Sequence, residues 1–141
     1  MNEITGAEKF VADTHAIIWH ITSNPRLSTE ARRRLLLADE GKAIIYLSVM
    51  TSIEILYACE KGKLPFDVLK EFHRRVQSEP TESYQIVEMT YDLARMLSEV
   101  PRKIVPELSD RIIAATALNL NLPLITKDQQ IQQWEGIITI W

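Results

Sequence analysis

The sequence has 141 residues, 46% of them hydrophobic and 25% charged, with 16 Lys and Arg against 19 Asp and Glu and a formal net charge of −3. That length supports one domain with its own core, here expected over residues 1–141. The composition excludes a disulfide scaffold, since Cys59 is the only cysteine, and a membrane span, since no stretch approaches the ~20 apolar residues one needs. It also fits poorly with binding nucleic acid by bulk positive charge. Met1-Asn-Glu-Ile-Thr-Gly6 lacks the basic start and apolar core of a secretion signal, so a reducing cytoplasm is the expected compartment.

Taken in order, the chain alternates strand-like apolar runs with longer helical patterns, which predicts βαβ units around a parallel sheet. Phe10–Ala12 reads as a buried strand and Thr14–His20 as a short helix. Ser28 or Thr29, with Glu30 in the first turn, starts a helix to about Asp39, and Gly41 stops it. Ala43–Leu47 is the clearest strand. Ser48 caps a helix from Val49 to Lys61, ended by Gly62. Pro65 opens the next helix, at its first position, to about Glu79. Tyr84–Val87 is a strand, and Thr90 caps a helix through Glu99. Leu108–Leu120 is a helix stopped at Asn121, Leu124–Thr126 a strand, Asp128–Gln133 a short helix and Gly136–Ile140 the last strand. Five strands interleaved with helices predict a three-layer α/β/α, doubly wound domain.

In such folds ligands bind outside the carboxyl ends of the strands. Asp13 follows the first strand directly, and Asp128 lies just past the Leu124–Thr126 strand. Glu54 sits in the second turn of the helix leaving the second strand, and Asp110 opens the helix that returns to Leu124. A helix antiparallel to its strand starts at the strand's carboxyl end, so Asp13, Glu54, Asp110 and Asp128 are expected at one edge of one sheet. Asp110 shares a helix face with Ile113, Ala114 and Ala117, which must face the sheet. Glu54 lies on a helix apolar nearly all round, which predicts burial and a need for a partner, with Lys61 or Lys63 within reach. Taken singly, Asp13 and Asp128 read as helix caps and Asp110 as an acid favoured by the helix dipole. Four independent caps have no reason to fall on one edge. Two bare charges ~4 Å apart repel by about 4 kcal/mol at an effective dielectric of ~20, and a divalent cation with oxygen ligands is the usual remedy. The leading reading is therefore a metal-dependent hydrolase of phosphodiesters.

Other residues carry less. His15, His20 and His73 show no ligand spacing; His15 reads as a supporting group beside Asp13, and His20 as a surface or interface residue. Ser48 and Thr51 read as helix-start residues whose hydroxyls could orient Glu54. Trp19, Trp134 and Trp141 read as packing groups and Arg74-Arg75 as a solvated helix face, while Arg102-Lys103 is balanced between a solvated face and a substrate-phosphate contact. Cys59 lacks the base pattern of a catalytic nucleophile. A haloacid-type phosphatase would want an aspartate where His15 stands, and a receiver domain would want adjacent acids near the first strand.

Several segments together resemble the PIN domain, and in particular the VapC-type toxins of bacterial toxin–antitoxin pairs. They are Val11-Ala-Asp13-Thr-His-Ala-Ile-Ile-Trp19, Leu27-Ser28, Ser48-Val-Met-Thr51-Ser-Ile-Glu54-Ile55, Gly62-Lys-Leu64, Ser109-Asp110-Arg-Ile-Ile-Ala-Ala-Thr-Ala117 and Leu122-Pro-Leu-Ile-Thr126-Lys-Asp128. Their order and spacing carry the resemblance, from about Phe10 to Ile140. It implies a five-stranded parallel sheet and a Mg²⁺- or Mn²⁺-dependent ribonuclease, with Asp13, Glu54, Asp110 and Asp128 as the acidic, metal-holding cluster and Thr126 as an auxiliary polar group. It further implies an RNA substrate and a cognate antitoxin; surplus apolar faces on the helices at 28–39 and 49–61 also fit a homodimer. Many relatives carry Asp-Pro-x-Asp-Arg before the third helix acid. This chain has Glu107-Leu-Ser-Asp110-Arg111, a departure that counts against a metal role for Glu107 and leaves it an auxiliary acid. A domain that keeps the cavity but binds RNA or protein without turnover is the alternative.

Overall fold

The computed structural model describes residues 8–77 and 82–141. The amino-terminal segment Met1–Gly6 and the expected helix end at Glu79 lie outside the described residues. Five parallel strands form one sheet in the order β3-β2-β1-β4-β5. They are β1 (Glu8–Ala12), β2 (Ala43–Ser48), β3 (Tyr84–Val87), β4 (Leu124–Ile125) and β5 (Thr139–Ile140). The helices are α1 (Thr14–Ile21), α2 (Thr29–Asp39), α3 (Val49–Glu60), α4 (Phe66–Val76), α5 (Tyr91–Met96), α6 (Leu108–Leu120) and α7 (Gln129–Gln133). The expected α/β/α architecture is thus present.

Side chains alternate across a strand, and the core divides accordingly. Phe10, Ala12, Ile45, Leu47 and Ile125 point into one apolar cluster with Ile17 of α1, Leu35 of α2, Ile55 of α3 and Phe72 of α4. Val11 and Leu124 point to the other, with Leu93 of α5, Ile113 and Ala117 of α6 and Ile131 of α7. Strand β1 is paired on both sides, with Val11 opposite Tyr46 of β2 and Leu124 of β4. The chain leaves β1 towards β2 and β3, then returns to build β4 and β5 on its other side. A crevice at the carboxyl ends follows from that reversal, and Asp13 stands at its centre.

The local signals mostly do what their chemistry predicts. Ser28, Ser48, Thr90 and Asp128 each cap the helix that follows with a side-chain oxygen. Gly41 and Gly62 take φ of +76° and +75° after α2 and α3, a backbone region that suits glycine. Asn121 ends α6 in the same region, with φ 55°.

Other expectations need correction. Pro65 is the residue before α4, not its first, and α4 stops at Val76. The helix capped by Thr90 is α-helical only to Met96 and tightens into a 3-10 turn over Leu97–Glu99. The last strand keeps only Thr139 and Ile140. Gly136 serves a different purpose, since a Cβ there would meet the ring of Trp134 at 2.1 Å.

Helix α3 is not buried all round: Thr51, Ile55 and Cys59 face the core, while Ile53 and Tyr57 are 42% and 58% exposed. His20 is no surface residue; its side chain is 8% exposed and its Nε2 lies 2.7 Å from Asp39 Oδ2. Arg75 is likewise drawn inward. It bonds Asp39 Oδ1 at 2.7 Å and Glu71 Oε2 at 2.8 Å, and only Arg74 keeps the solvated-face role. Tyr84 adds a short hydrogen bond to Asp39, so one carboxylate ties the ends of α1, α2 and α4 to β3.

Candidate active site

The backbone places the first acid. Asp13 N donates to Ile125 O at 3.0 Å, which carries the pairing of β1 and β4 one residue past the strand and sets Asp13 beside Thr126. Asp13 is 3% exposed. Its Oδ1 accepts from Thr14 N at 2.7 Å and its Oδ2 from the Thr126 hydroxyl at 2.7 Å. The same hydroxyl accepts from Asp128 N at 3.0 Å, and Asp128 Oδ1 accepts from Ile131 N at 3.0 Å. Asp13 and Asp128 are therefore helix caps and neighbours in one polar cluster at once.

Asp110 enters from the first turn of α6. Burial pushes its carboxyl up to about 7, reinforced by the charges of Asp13, Asp128 and Glu54 and by a hydrogen bond with Asp128. An acid so affected must lie within reach of all three others. Glu54 comes in from α3, where Thr14 Oγ1 donates to its Oε1 at 2.6 Å. Thr14 Oγ1 also lies 2.9 Å from Thr51 Oγ1. Among the described residues neither Lys61 nor Lys63 pairs with Glu54; the partner is Thr14, at the start of the neighbouring α1. Thr14 escaped the sequence reading, although its place directly after Asp13 was a usable signal.

Among the described residues no lysine or arginine forms an ion pair with any of these carboxylates. His15 is the basic side chain that approaches Asp13: its Nδ1 is 3.6 Å from Asp13 Oδ2 and its Nε2 accepts from Lys127 N at 3.0 Å. The donor set is thus carboxylate and hydroxyl oxygen, which suits a hard cation such as Mg²⁺ or Mn²⁺ better than Zn²⁺. Among the described residues no three His, Cys, Asp or Glu side chains stand ready-made around a single metal position. The carboxylates are close enough to repel one another without converging on a common centre.

The remaining expected groups have plainer surroundings. Ser48 is 1% exposed and its hydroxyl accepts from Met50 N at 3.0 Å, a capping bond. Glu107 is exposed at the start of α6 and makes no side-chain capping bond there. Arg102 and Lys103 are exposed in the turn before α6. Trp134 is buried in the second cluster. Trp19 and Trp141 pack on His15, with ring centroids 5.1 and 5.9 Å away.

The family model described as PIN domain matches residues 10–136. No curated protein sequence matches the chain. Solved structures that share its fold include three toxin–antitoxin assemblies. The first is VapBC2 from Rickettsia felis bound to a DNA fragment from their promoter, with TM-score 0.69 and 17% identity over 94% of this chain and 97% of that one. The second is DNA-bound VapBC from Salmonella typhimurium, with TM-score 0.66 and 21% identity over 94% and 97%. The third is a toxin–antitoxin complex from Klebsiella pneumoniae, with TM-score 0.65 and 22% identity over 92% and 95%.

Proposed function

The chain belongs to the PIN domain family, and from that premise we propose that it is a Mg²⁺- or Mn²⁺-dependent endoribonuclease serving as the toxin of a toxin–antitoxin pair. The observation that carries this reading is the gathering of Asp13, Glu54, Asp110 and Asp128, near enough that burial and the three other charges push the Asp110 carboxyl up to about 7, with no lysine or arginine among the described residues in ion-pair contact with them. A site that concentrates negative charge at a cost to itself is shaped for a cation.

Asp13, Asp110 and Asp128 would hold the ion. When bound, it would lower the pKa of a water molecule and offset charge developing on the scissile phosphate. Thr126 keeps Asp13 and the Asp128 backbone in register through its one hydroxyl. Glu54, oriented by Thr14, would steer the attacking water or complete the cation's shell. Ser48 contributes indirectly, by starting the helix that carries Glu54. Glu107 is left as an outer acid.

The antitoxin reading is supported by an open groove of about 400 Å³ on α3, lined by Met50, Ile53 and Tyr57 with Lys61 and Lys63 at its rim. Glu54 lies in the same lining, so an apolar segment seated there would cover the acidic mouth. The exposed Leu36 and Tyr57 side chains leave apolar surface for a second copy of the chain as well. No helix among the described residues is long and apolar enough to cross a membrane, and a cytoplasmic site of action is part of the proposal. A second reading, a module that binds without turnover, draws on the lack of a ready-made metal position among the described residues.

Incubation with structured and single-stranded RNAs, with and without Mn²⁺, separates the two. The ribonuclease reading expects cation-dependent cleavage by the wild type and none by a folded Asp13→Asn variant. Tight RNA binding with no cleavage under any divalent cation would favour the second.

A further inference from the structure

We propose that Arg26 and Lys127, both held against the ring of Trp19, form a phosphate-binding pair on one flank of the acidic cluster. They would take the backbone of single-stranded RNA beside the bond that is cut, so the proposal rests on the ribonuclease reading above. Most other arginines of the described chain are committed. Arg33, Arg34, Arg74 and Arg75 bond carboxylates. Arg111 donates to the carbonyls of Leu97 and Val100. Arg26 and Lys127 are exposed, and among the described residues no carboxylate lies within ion-pair distance of either.

Instead, both are placed by one aromatic ring. The Arg26 guanidinium carbon lies 5.9 Å from the Trp19 centroid and Lys127 Nζ lies 5.3 Å from it. Trp19 is fixed in turn by His15 at 5.1 Å and Trp141 at 6.0 Å. The supports reach into the site itself. Lys127 stands between Thr126 and Asp128, its backbone N–H is held by His15, and His15 lies 3.6 Å from Asp13. On the other side, Asn24 N donates to Trp19 O at 2.8 Å and Arg26 N to Asn24 Oδ1 at 2.9 Å, which shapes the turn that presents Arg26.

Two cations attracted to a ring face are restrained without being neutralised. They keep their charge for a ligand at the lip of a carboxylate cluster that would otherwise repel a polyanion. The guanidinium can grip a phosphate with two parallel hydrogen bonds, and the ammonium adds a point charge. With a net charge of −3 the chain has no bulk attraction for RNA, so local contacts of this kind must supply it.

Salt dependence tests the pair. In the cleavage-deficient Asp13→Asn background with Mg²⁺ present, binding of a dye-labelled single-stranded RNA is measured against salt for the parent, Arg26→Gln, Lys127→Gln and the double variant. Each lost phosphate contact should flatten the slope of log K against log salt by about 0.7, and the double variant by about 1.4. In the active chain the loss should fall on KM, roughly tenfold for the double variant, rather than on kcat. Lys42→Gln removes the same charge at the opposite edge of the sheet and should leave the slope unchanged. An unchanged slope in the double variant, or an equal change in Lys42→Gln, overturns the pair while leaving the ribonuclease reading intact. A wild type that neither binds nor cuts RNA overturns both.

Discussion

The Thr126 hydroxyl donates to Asp13 Oδ2 at 2.7 Å, across 113 residues of sequence. It is the nearest thing the site has to a keystone, because it also accepts from the backbone N–H of Asp128. Thr126→Val keeps the shape and removes the hydroxyl. The buried Asp13 loses a donor and the Asp128 N–H loses its acceptor, so the fold should weaken by about 1–3 kcal/mol. Thr126→Ser should restore most of it. Denaturant melts of the three proteins check this, and an unaltered midpoint for the valine variant would count against it.

Asp110→Asn should separate stability from activity. The substitution removes a charge that burial and three carboxylates oppose, so without divalent cations the variant should melt a few degrees higher at neutral pH. It should also lose cation-dependent cleavage. A lower melting temperature would mean that Asp110 is held by favourable contacts instead.

The same carboxyl sets a pH dependence. Its pKa is about 7 in the fold against 3.8 ordinarily, so folding takes up a proton between those values. Stability from this group is present at low pH and lost as pH rises through about 7. Cation-free protein should therefore melt progressively lower from about pH 5 to pH 8. Millimolar Mn²⁺ should reverse the trend, since the ion binds the ionised carboxylates. Thermal scans at several pH values, with and without Mn²⁺, give both slopes.

Thr14→Val tests how Glu54 is aimed. It removes the 2.6 Å bond to Glu54 Oε1 and leaves Asp13 its backbone donor. Cleavage should fall about tenfold, corresponding to ~1.4 kcal/mol, with cation affinity nearly unchanged. Thr14→Ser should retain activity. Calorimetry beside initial rates distinguishes this from general loss of the site.

Far from the crevice, Asp39 should matter for stability alone. Burial raises its pKa, but hydrogen bonds from His20 and Tyr84 and the nearby charges of His20 and Arg75 outweigh that and hold it below 3.8. Its contribution is therefore present above about pH 4 and lost as pH falls further. Asp39→Ala should cost about 1.5–3 kcal/mol at neutral pH and less in acid. Cleavage per folded molecule should stay at the parent value.

Most of the scaffold was legible because its signals are local. Ser28, Ser48 and Thr90 announce helices by capping, and the apolar runs at 43–47 and 84–87 announce strands by composition. Asp13, Asp110 and Asp128 could be assembled from chain order alone, since each sits where an element meets the carboxyl edge. What escaped depends on contacts between distant segments. Periodicity on α3 shows that the helix is apolar, but not which apolar face the sheet leaves open, so the exposure of Ile53 and Tyr57 was invisible. The same holds for Thr14 and Glu54, and for His20 and Arg75, whose shared partner Asp39 lies on a third helix. Pattern reading also overextended the last strand, because Gly136 is required by the Trp134 ring rather than by strand geometry.

The parallel pairing of β1 with β4 has a consequence for biosynthesis. Asp13 is translated more than a hundred residues before its neighbours Thr126 and Asp128. Until β4 has emerged and slotted in beside β1, a nascent chain carries Asp13, Glu54 and Asp110 without Thr126 and Asp128. On the proposed ribonuclease reading, a half-made copy would therefore lack the complete acidic cluster and should not cut.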